Sequence, residues 1–270
     1  MYKFAVVRIL GNENPPRDDV GSRIRSLHFI LNNEPVFPNT IKLYVLNKIV
    51  DEDFKAKLIA LLNEYDANYI DLPVDWNSLA QKQEITDSQL NLQIIGINAA
   101  RNKAIEFGHK FADFSIVFDG DCLFDSFGWT LFDSVVEERC KKFYRYYFSI
   151  PTVRIKPEQY NQIIAHKFTE PMPVFHQNSL ERFDEKLLFG QCDKLELLFR
   201  LGHDATPDTD HCRIVEGKTS IAGYCCHLQT GADIIEEHVG VRMQVREMSL
   251  QQLWQKVRNK LKTINDQFIV

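Results

Sequence analysis

The stretch FADFSIVFDGDCLF, residues 111–124, is an apolar run that ends in two aspartates separated by one glycine. The β-branched and aromatic residues that lead to Asp119 favour a short, buried strand. An acidic side chain costs several kcal/mol to bury unpaired, so a core strand that ends in two of them needs an explanation. Either Asp119 and Asp121 form an ordinary acidic turn, or the strand delivers their carboxylates to a site.

Outward from this stretch, the first half of the chain alternates strand-like and helix-like patterns. The predicted strands are residues 2–10, 41–50, 67–74 and 113–119, and the predicted helices between them are residues 22–33, 51–65 and 92–111. This order is typical of right-handed crossovers between parallel strands. Because ligands bind beyond the carboxyl ends of such strands, the sequence predicts an α/β fold with residues 119–121 at its functional edge. The loop that follows residue 10 should lie at the same edge.

The second half has a less regular pattern. It consists of a helix at residues 127–140, a strand at 141–153, a loop that runs into a helix at 184–202, a short strand within 219–231 and an amphipathic helix at 248–264. In the first half, Ser22 is a candidate N-cap, since serine often caps helices. The polar residues 75–91 favour a loop or a partly helical insert. No linker divides the chain, so we expect one domain over residues 1–270.

Composition excludes several classes of protein. The chain has 270 residues and a formal charge of −5, which argues against non-specific nucleic-acid binding as its main function. Its six cysteines include no C-x-x-C pair, and no signal-peptide pattern precedes them. We therefore expect free thiols in a reducing compartment and a cytoplasmic location. No apolar run approaches the ~18 residues that a membrane-spanning helix needs.

Two carboxylates that flank a glycine can reach one cation. Glycine permits a tight turn and a close approach of a ligand to the backbone, and oxygen ligands favour Mg²⁺ or Mn²⁺. A surface acidic turn remains the alternative for Asp119 and Asp121.

Arg8 is unusual inside a core strand, because a buried arginine needs a partner. That partner is either an acid or a ligand.

The segment ARNKAIEFGHKFADFSIVFDGDCL, residues 100–123, resembles the core of the GT-A nucleotide-sugar glycosyltransferases. In that superfamily an A-R-N on a helix often precedes a strand that ends in D-x-D. The later segment FGQCDKLELLFRLG is similar to the family's G-x-E-D-x-E segment, with Asp193 at its second acid and Cys192 in place of the first. His227 in GYCCHLQTG matches a late metal ligand. The resemblance covers roughly residues 2–230, with its motifs in the family's order.

The resemblance implies a GT-A fold, with a mixed, mainly parallel central sheet flanked by helices. It also implies a metal-dependent transfer of a sugar from a nucleotide sugar, with a UDP-sugar expected, to a glycan or another hydroxyl acceptor. Asp121 and His227 are expected to bind Mn²⁺ or Mg²⁺ directly. Asp119 is expected to contact the ribose, or the metal through water. The motifs specify neither the sugar nor the acceptor, because the pocket walls decide both.

The residues expected to bind the donor are Arg8, Asn12, Arg17, Arg101, Asn102 and Asp119. Asn12 and Arg17 lie in the loop where GT-A proteins usually bind the base. Arg101 either faces the diphosphate or is a solvated helix charge, and Asn102 either contacts the sugar or braces a loop. Asp193 is the candidate base for the acceptor hydroxyl, or else a helix N-cap. On this reading residues 1–124 bind the nucleotide sugar, residues 125–247 complete the acceptor and metal site, and residues 248–270 form a terminal helix.

Two other functions stay open from the sequence. A nucleotidyltransferase also uses paired acids on a parallel sheet, although GNENPPR has only one glycine for a phosphate loop. A nucleotide-sugar-binding protein without catalysis would explain Cys192 in place of a glutamate. The terminal helix carries Lys256, Arg258, Lys260 and Lys262, which could contact the anionic inner face of a membrane. The alternative is that this helix packs on the domain.

Overall fold

The acidic stretch forms one of four neighbouring parallel strands. The computed structural model describes residues 1–82, 84–143, 146–162, 168–191, 193–205, 212–214, 219–229 and 239–268. The strands are β1 (Phe4–Leu10), β2 (Thr40–Asn47), β3 (Asn68–Leu72), β4 (Phe114–Asp119), β5 (Cys122–Leu123), β6 (Tyr147–Ile155), β7 (Phe168–His176), β8 (His203–Ala205), β9 (Cys212–Ile214), β10 (Thr219–Ile221) and β11 (Cys225–Leu228). The helices are α1 (Ser22–Asn33), α2 (Glu52–Glu64), α3 (Trp76–Ala80), α4 (Asp87–Leu90), α5 (Ile97–Gly108), α6 (Ser126–Phe143), α7 (Leu195–Arg200) and α8 (Val239–Phe268).

The strands form a mixed sheet in the order β3-β2-β1-β4-β7-β6-β11-β5, with β10 also paired to β6. Strands β3, β2, β1 and β4 are all parallel. Strand β7 is antiparallel to both of its neighbours, β4 and β6. Strand β11 is parallel to β6 and antiparallel to β5. This arrangement confirms the predicted mixed, mainly parallel sheet, and it brings β11 close to the turn that follows β4.

Successive residues of each strand point to opposite faces of the sheet, and apolar side chains lie on both faces. On one face Phe4 and Phe114 pack in a cluster with Trp129 of α6. On the other face Val7 packs in a cluster with Ala104 of α5. Because helices cover both faces, β1 is buried along its whole length. The carboxyl ends of β1 and β4 are therefore held rigidly beside each other.

One predicted helix is interrupted. Residues 92–111 are predicted to form a single helix, but a π-helical turn (Asn91–Ile95) ends at Gly96 before α5 begins. Gly96 has a φ of +44°, and an added Cβ would lie 2.6 Å from both the Leu92 carbonyl oxygen and the Lys48 Nζ. Only glycine tolerates both the left-handed backbone and this close approach. The break therefore has a local cause that helical periodicity does not reveal.

Other boundaries differ from prediction for local reasons. Ser22 is the first residue of α1, and Gly21 occupies the N-cap position without a side-chain cap, so the prediction of a serine cap is wrong. The strand predicted at residues 141–153 begins only at Tyr147, because α6 extends to Phe143. The polar residues 75–91 contain α3 and α4, in agreement with the partly helical alternative.

The terminal helix α8 packs on the domain through an apolar stripe. Its buried residues are Leu253, Trp254, Val257 and Leu261, which cluster with Leu79 and Leu90 of α3 and α4. Two of its basic residues are paired with acids: Arg258 with Asp87, and Lys260 with Glu52, whose oxygen lies 3.0 Å from the Lys260 Nζ. Among the described residues, no helix has the length and apolar character that a bilayer crossing requires.

Candidate functional site

The turn after β4 is pressed against the end of β1. An added Cβ on Gly120 would lie 2.8 Å from the Ile9 carbonyl oxygen and 3.1 Å from the Leu10 Cδ2. The carbonyl of Asp121 accepts a hydrogen bond of 2.9 Å from the Leu228 N–H of β11. Glycine is thus required for close approach, and the turn is fixed from two sides. The carboxylates of this turn are held by a rigid frame.

Asp121 and His227 form an ion pair. The His227 Nε2 lies 3.2 Å from the Asp121 Oδ2. Burial alone would raise the pKa of Asp121, but the facing His227 charge, with Arg23, holds that pKa well below its ordinary value. Burial alone would lower the pKa of His227, but Asp121 raises it to about 10. At neutral pH the pair is therefore an aspartate and a protonated histidine.

Asp119 has different partners from Asp121. Its Oδ2 lies 3.2 Å from the Lys194 Nζ, and its Oδ1 lies 3.7 Å from the Arg101 Nη2. Burial alone would raise the pKa of Asp119, but the charges of Lys194 and then Arg101 lower it overall. The two acids of the turn are thus divided. Asp121 faces a histidine, and Asp119 faces two fixed cations.

Lys194 is a site residue that the sequence analysis missed. Its side chain is 6% exposed, and its Nζ also lies 3.3 Å from Glu170 on β7 and 3.6 Å from the Met172 sulfur. Burial alone would lower the pKa of Lys194, but Asp119 and Glu170 raise it. A lysine directly before the apolar helix LELLFR is a weak signal for a buried cation, because lysines there are usually solvated.

Arg101 connects Asp119 with Asp193. Its Nη1 donates to the Asp193 Oδ2 at 2.7 Å and to the Asn98 Oδ1 at 2.9 Å. Its guanidinium also lies 5.3 Å from the centre of the Phe183 ring. The side chain is buried, so the solvated-helix alternative for Arg101 is wrong. Arg101 is a fixed positive charge between two acids of the candidate site.

Asp193 accepts hydrogen bonds on both carboxylate oxygens. Arg101 occupies Oδ2, and the Gly190 N–H donates to Oδ1 at 3.0 Å. Lys194, not Asp193, stands at the N-cap of α7, so the helix-cap alternative is wrong. The neighbouring Cys192 lies outside the described residues. The structure therefore brings Asp193 to the site edge as part of a charge network.

Asn102 braces a loop. Its Oδ1 accepts from the Phe183 N–H, and its Nδ2 donates to the Phe183 carbonyl, each at 3.0 Å. Its Nδ2 also lies 2.8 Å from the Glu185 Oε1. Of the two alternatives for Asn102, the geometry favours the brace over a contact with a sugar. The same side-chain amide satisfies both backbone groups of one residue.

Two further asparagines hold the same segment, of which the structure describes residues 183–191 and 193. Asn98 donates to the carbonyls of Asp184 and Asp193 at 2.8 and 2.7 Å. The Asn91 Oδ1 accepts from the Phe189 N–H at 2.8 Å. Asn91, Asn98 and Asn102 recur at about helical spacing in a mostly apolar stretch, a signal that the sequence contains. These asparagines fix the segment that carries Asp193 and Lys194.

Arg8 does not lie at the ligand edge. Its side chain is fully buried, its Nη2 lies 2.5 Å from the Glu34 Oε1, and its Nε donates to the Cys122 carbonyl at 2.7 Å. Glu34 also accepts from the Phe124 N–H at 2.9 Å. The expected donor contact from Arg8 is therefore replaced by the acid-paired alternative. The pair secures the chain immediately after the acidic turn.

Asn12 and Arg17 support the loop after β1. The Asn12 Nδ2 donates to the Lys48 carbonyl at 3.0 Å, and its Oδ1 accepts from the Val50 N–H at 2.8 Å. The Arg17 N–H donates to Ser249 of α8 at 3.0 Å, and its guanidinium lies 5.6 Å from the Phe189 ring centre. Both side chains thus join this loop to neighbouring segments, and Asn12 uses both ends of its amide to do so.

A metal could be held by Asp121 and His227. Within the described part of the chain, no group of three or more His, Cys, Asp or Glu side chains could hold an ion. The carboxylate oxygen and imidazole nitrogen of this pair are 3.2 Å apart. Two neighbouring ligands of one cation at about 2.1 Å are separated by about 3 Å, so the spacing fits. Mixed oxygen and nitrogen ligands suit Mn²⁺.

Comparisons with known proteins address the fold. No protein-family model matches the chain, and no curated protein matches it in sequence. Among solved structures, GalNAc-T7 with UDP, GalNAc and Mn²⁺ matches with a TM-score of 0.51 and 10% identity, over 86% of this chain and 44% of that one. This chain therefore spans less than half the length of that relative. The likeness confirms the GT-A fold that the sequence predicts.

Two further solved structures match with lower TM-scores. The mannosyltransferase PcManGT from Pyrobaculum calidifontis, in complex with GDP-Man and Mn²⁺, gives a TM-score of 0.46 at 10% identity, over 98% of this chain and 69% of that one. TarS from S. aureus gives a TM-score of 0.42 at 12% identity, over 87% of this chain and 38% of that one.

Proposed function

We propose that the protein is a metal-dependent glycosyltransferase that moves a sugar from a nucleotide sugar to a hydroxyl acceptor. The observation that carries the proposal is the Asp121–His227 pair, 3.2 Å apart, at the carboxyl end of β4. Ligands of open α/β sheets bind at such an edge. The buried side chains of Arg101 and Lys194 form ion pairs with Asp119, the other acid of the same turn. The edge thus combines a pair of metal ligands with fixed positive charge.

The proposed donor is a UDP-sugar with Mn²⁺ or Mg²⁺. Support comes from the GT-A fold and from the structure of GalNAc-T7, which was solved with UDP and Mn²⁺. Asp121 and His227 would hold the metal. Asp119 would remain paired with Lys194 and Arg101, near the ribose. A bound cation would act as a Lewis acid and stabilise the negative charge of the leaving diphosphate.

The proposed acceptor is a hydroxyl, on a glycan or another molecule, and Asp193 is the candidate base. As the hydroxyl oxygen bonds to the anomeric carbon, the bond from that carbon to the diphosphate oxygen breaks. The hydroxyl proton passes to the Asp193 carboxylate. Proton uptake there would weaken the 2.7 Å contact with Arg101.

Calorimetric titration of UDP in the presence of Mn²⁺ tests the proposal. We expect binding to the wild type and a loss of at least about tenfold in affinity for Asp121→Ala, since one metal ligand is removed. Asp133→Ala, which removes an exposed acid of α6, is the matched control and should bind normally. Equal affinity in all three proteins would contradict the assignment of Asp121.

Product analysis separates this function from the two alternatives. Release of UDP from a UDP-sugar supports glycosyl transfer or its slow hydrolytic form. Release of pyrophosphate from a nucleoside triphosphate and a sugar phosphate would instead identify a nucleotidyltransferase. Tight binding of UDP-sugars with no turnover, in a panel of sugar acceptors, would identify a binding protein.

A further inference from the structure

Lys194 lies between two carboxylates of the candidate site. Its Nζ is 3.2 Å from the Asp119 Oδ2 and 3.3 Å from the Glu170 Oε1. The lysine side chain is 6% exposed, whereas those of Asp119 and Glu170 are 36% and 46% exposed. The ammonium group is therefore inside the protein, whereas the two acids that it contacts are partly exposed to solvent.

The surroundings of the ammonium group indicate what it can do. An ammonium has three donors. Here its neighbours within reach are Asp119, Glu170 and the Met172 sulfur at 3.6 Å. Since all three are protein groups, Lys194 cannot contact a ligand without leaving them. These contacts favour an effect on a ligand that passes through the acids, and the experiment below tests this against a direct effect of the lysine charge.

Arg101 is the second cation on Asp119, but it is the more distant one. Its Nη2 lies 3.7 Å from the Asp119 Oδ1, while its Nη1 is bound to Asp193 at 2.7 Å. Lys194 therefore provides the closer contact on Asp119, and the two cations hold different oxygens of one carboxylate. Without Lys194, Asp119 would keep only the more distant Arg101, and its less neutralised charge would repel an anion that arrived at the turn.

We propose that Lys194 is a positioning residue for the donor, which fixes Asp119 and neutralises its charge where a nucleoside diphosphate binds. The inference rests on the proposed function. It adds a residue outside the D-x-D turn, and it divides the turn by role. Asp121 and His227 serve the metal, while Asp119 with Lys194 serves the anionic nucleotide.

Titration of UDP with Mn²⁺, followed by calorimetry, tests this role with three variants. We expect Lys194→Met to bind about tenfold more weakly, because Asp119 loses its closest cation. Lys194→Arg keeps the positive charge and should bind within about threefold of wild type. Asp133→Ala, which removes an exposed acid of α6, is the control and should bind as the wild type does.

A double variant shows whether Lys194 acts through Asp119. If it does, Lys194→Met should cost nothing further in an Asp119→Asn background, because the partner is already absent. A further loss of several fold in that background would overturn the positioning role and indicate direct contact with the nucleotide. Unchanged affinity of Lys194→Met in the wild-type background would also overturn it.

Failure of this inference is distinguishable from failure of the proposed function. Absence of UDP binding by the wild type would remove both. Binding by the wild type that Asp121→Ala reduces and Lys194→Met does not would leave the function and remove the role of Lys194. Thermal unfolding of each variant checks that it is folded, and Lys194→Gln replaces Lys194→Met in the same comparisons if the methionine variant does not fold.

Discussion

At the scale of single residues, the two acids of the D-G-D turn differ through their neighbours. Asp121 is paired with His227 at 3.2 Å, and Asp119 is paired with Lys194 at 3.2 Å. The distinction arises because β11 lies beside β5, while the segment before α7 reaches the end of β4. Identical side chains two positions apart thus enter different electrostatic environments. One is suited to exchange its partner for a metal, and the other is held by fixed charges.

The pairing of His227 predicts that metal binding releases a proton. The Asp121 charge raises the pKa of His227 to about 10, so at pH 7.5 the histidine is protonated and must lose its proton to bind a metal. The affinity for Mn²⁺ with UDP should therefore rise with pH below that value, by up to about tenfold per unit. Calorimetry in two buffers with different ionisation enthalpies should show nearly one proton released per metal ion.

His227→Gln is the control for that measurement, since glutamine has no titrating proton. Release of no proton by the wild type would contradict the role of His227. The raised pKa of His227 also makes the stability of the metal-free protein depend on pH. Because the pKa of His227 is raised and that of Asp121 is lowered, the stabilisation by this pair is complete between the ordinary pKa values of 3.8 and 6.5. It is lost as the pH rises through about 10, and also at acid pH as Asp121 takes up a proton.

A residue of the candidate site could be predicted from the sequence where it directly follows a strand. Asp121 follows the buried strand β4, which predicts its place at the sheet edge, whereas His227, which lies within β11, was predicted from the resemblance to GT-A enzymes. Lys194 could not be predicted, because a buried ammonium depends on acids that are distant in the chain. Arg8, predicted at the donor, is paired with Glu34, since its strand points it into the core rather than beyond its carboxyl end.

At the scale of secondary-structure elements, the critical feature is the close contact of the turn after β4 with β1. Gly120 lies where a Cβ would be 2.8 Å from a backbone oxygen of Ile9. A backbone atom in the centre of a sheet cannot shift cheaply, since both faces of β1 are covered. The geometry of the site is thus coupled to the packing of its strand.

We expect Gly120→Ala to lower the free energy of unfolding by about 1–3 kcal/mol, the usual cost of overpacking. It should also weaken UDP–Mn²⁺ binding, because the turn must move away from β1. Gly11→Ala is the matched control, since nothing lies within 4 Å of the Cβ position there. Urea denaturation and calorimetry of both variants provide the measurements. A stable Gly120→Ala with normal binding would show that the turn is not rigid.

Elements were predictable wherever a periodic pattern was long and uninterrupted. The helix predicted at residues 22–33 matches α1, and the strand predicted at 113–119 differs from β4 by one residue. The break at Gly96 was not predictable, because it depends on the approach of Lys48, which follows β2 and is distant in the chain. Local periodicity contains no information on such a tertiary contact.

At the scale of the whole molecule, α8 connects the end of the chain to the loops of the site. Ser249 accepts from the Arg17 N–H at 3.0 Å. The Arg246 guanidinium lies 5.0 Å from the Phe189 ring centre, on a ring that Arg17 also approaches. Trp254, which is 2% exposed, anchors the helix in the cluster with α3 and α4. The terminal helix therefore supports loops that are more than 50 residues away in sequence.

Trp254→Ala should lower the free energy of unfolding by about 3–5 kcal/mol, as expected for a fully buried large aromatic side chain. Because α8 holds the loops that carry Arg17 and Phe189, UDP binding should weaken as well. Lys256→Ala, an exposed change on the same helix, should alter neither property. The measurements are chemical denaturation and calorimetry. Normal nucleotide affinity in a destabilised Trp254→Ala would show that α8 does not support the site.

The three asparagines that hold residues 183–193 have a thermodynamic consequence. Asn91, Asn98 and Asn102 satisfy backbone groups of that segment through direct hydrogen bonds. A segment that is already ordered loses little conformational entropy when a ligand arrives, whereas ordering a free loop costs about 1–2 kcal/mol per residue. Under the proposed function, this segment should therefore add little to the entropic cost of nucleotide binding.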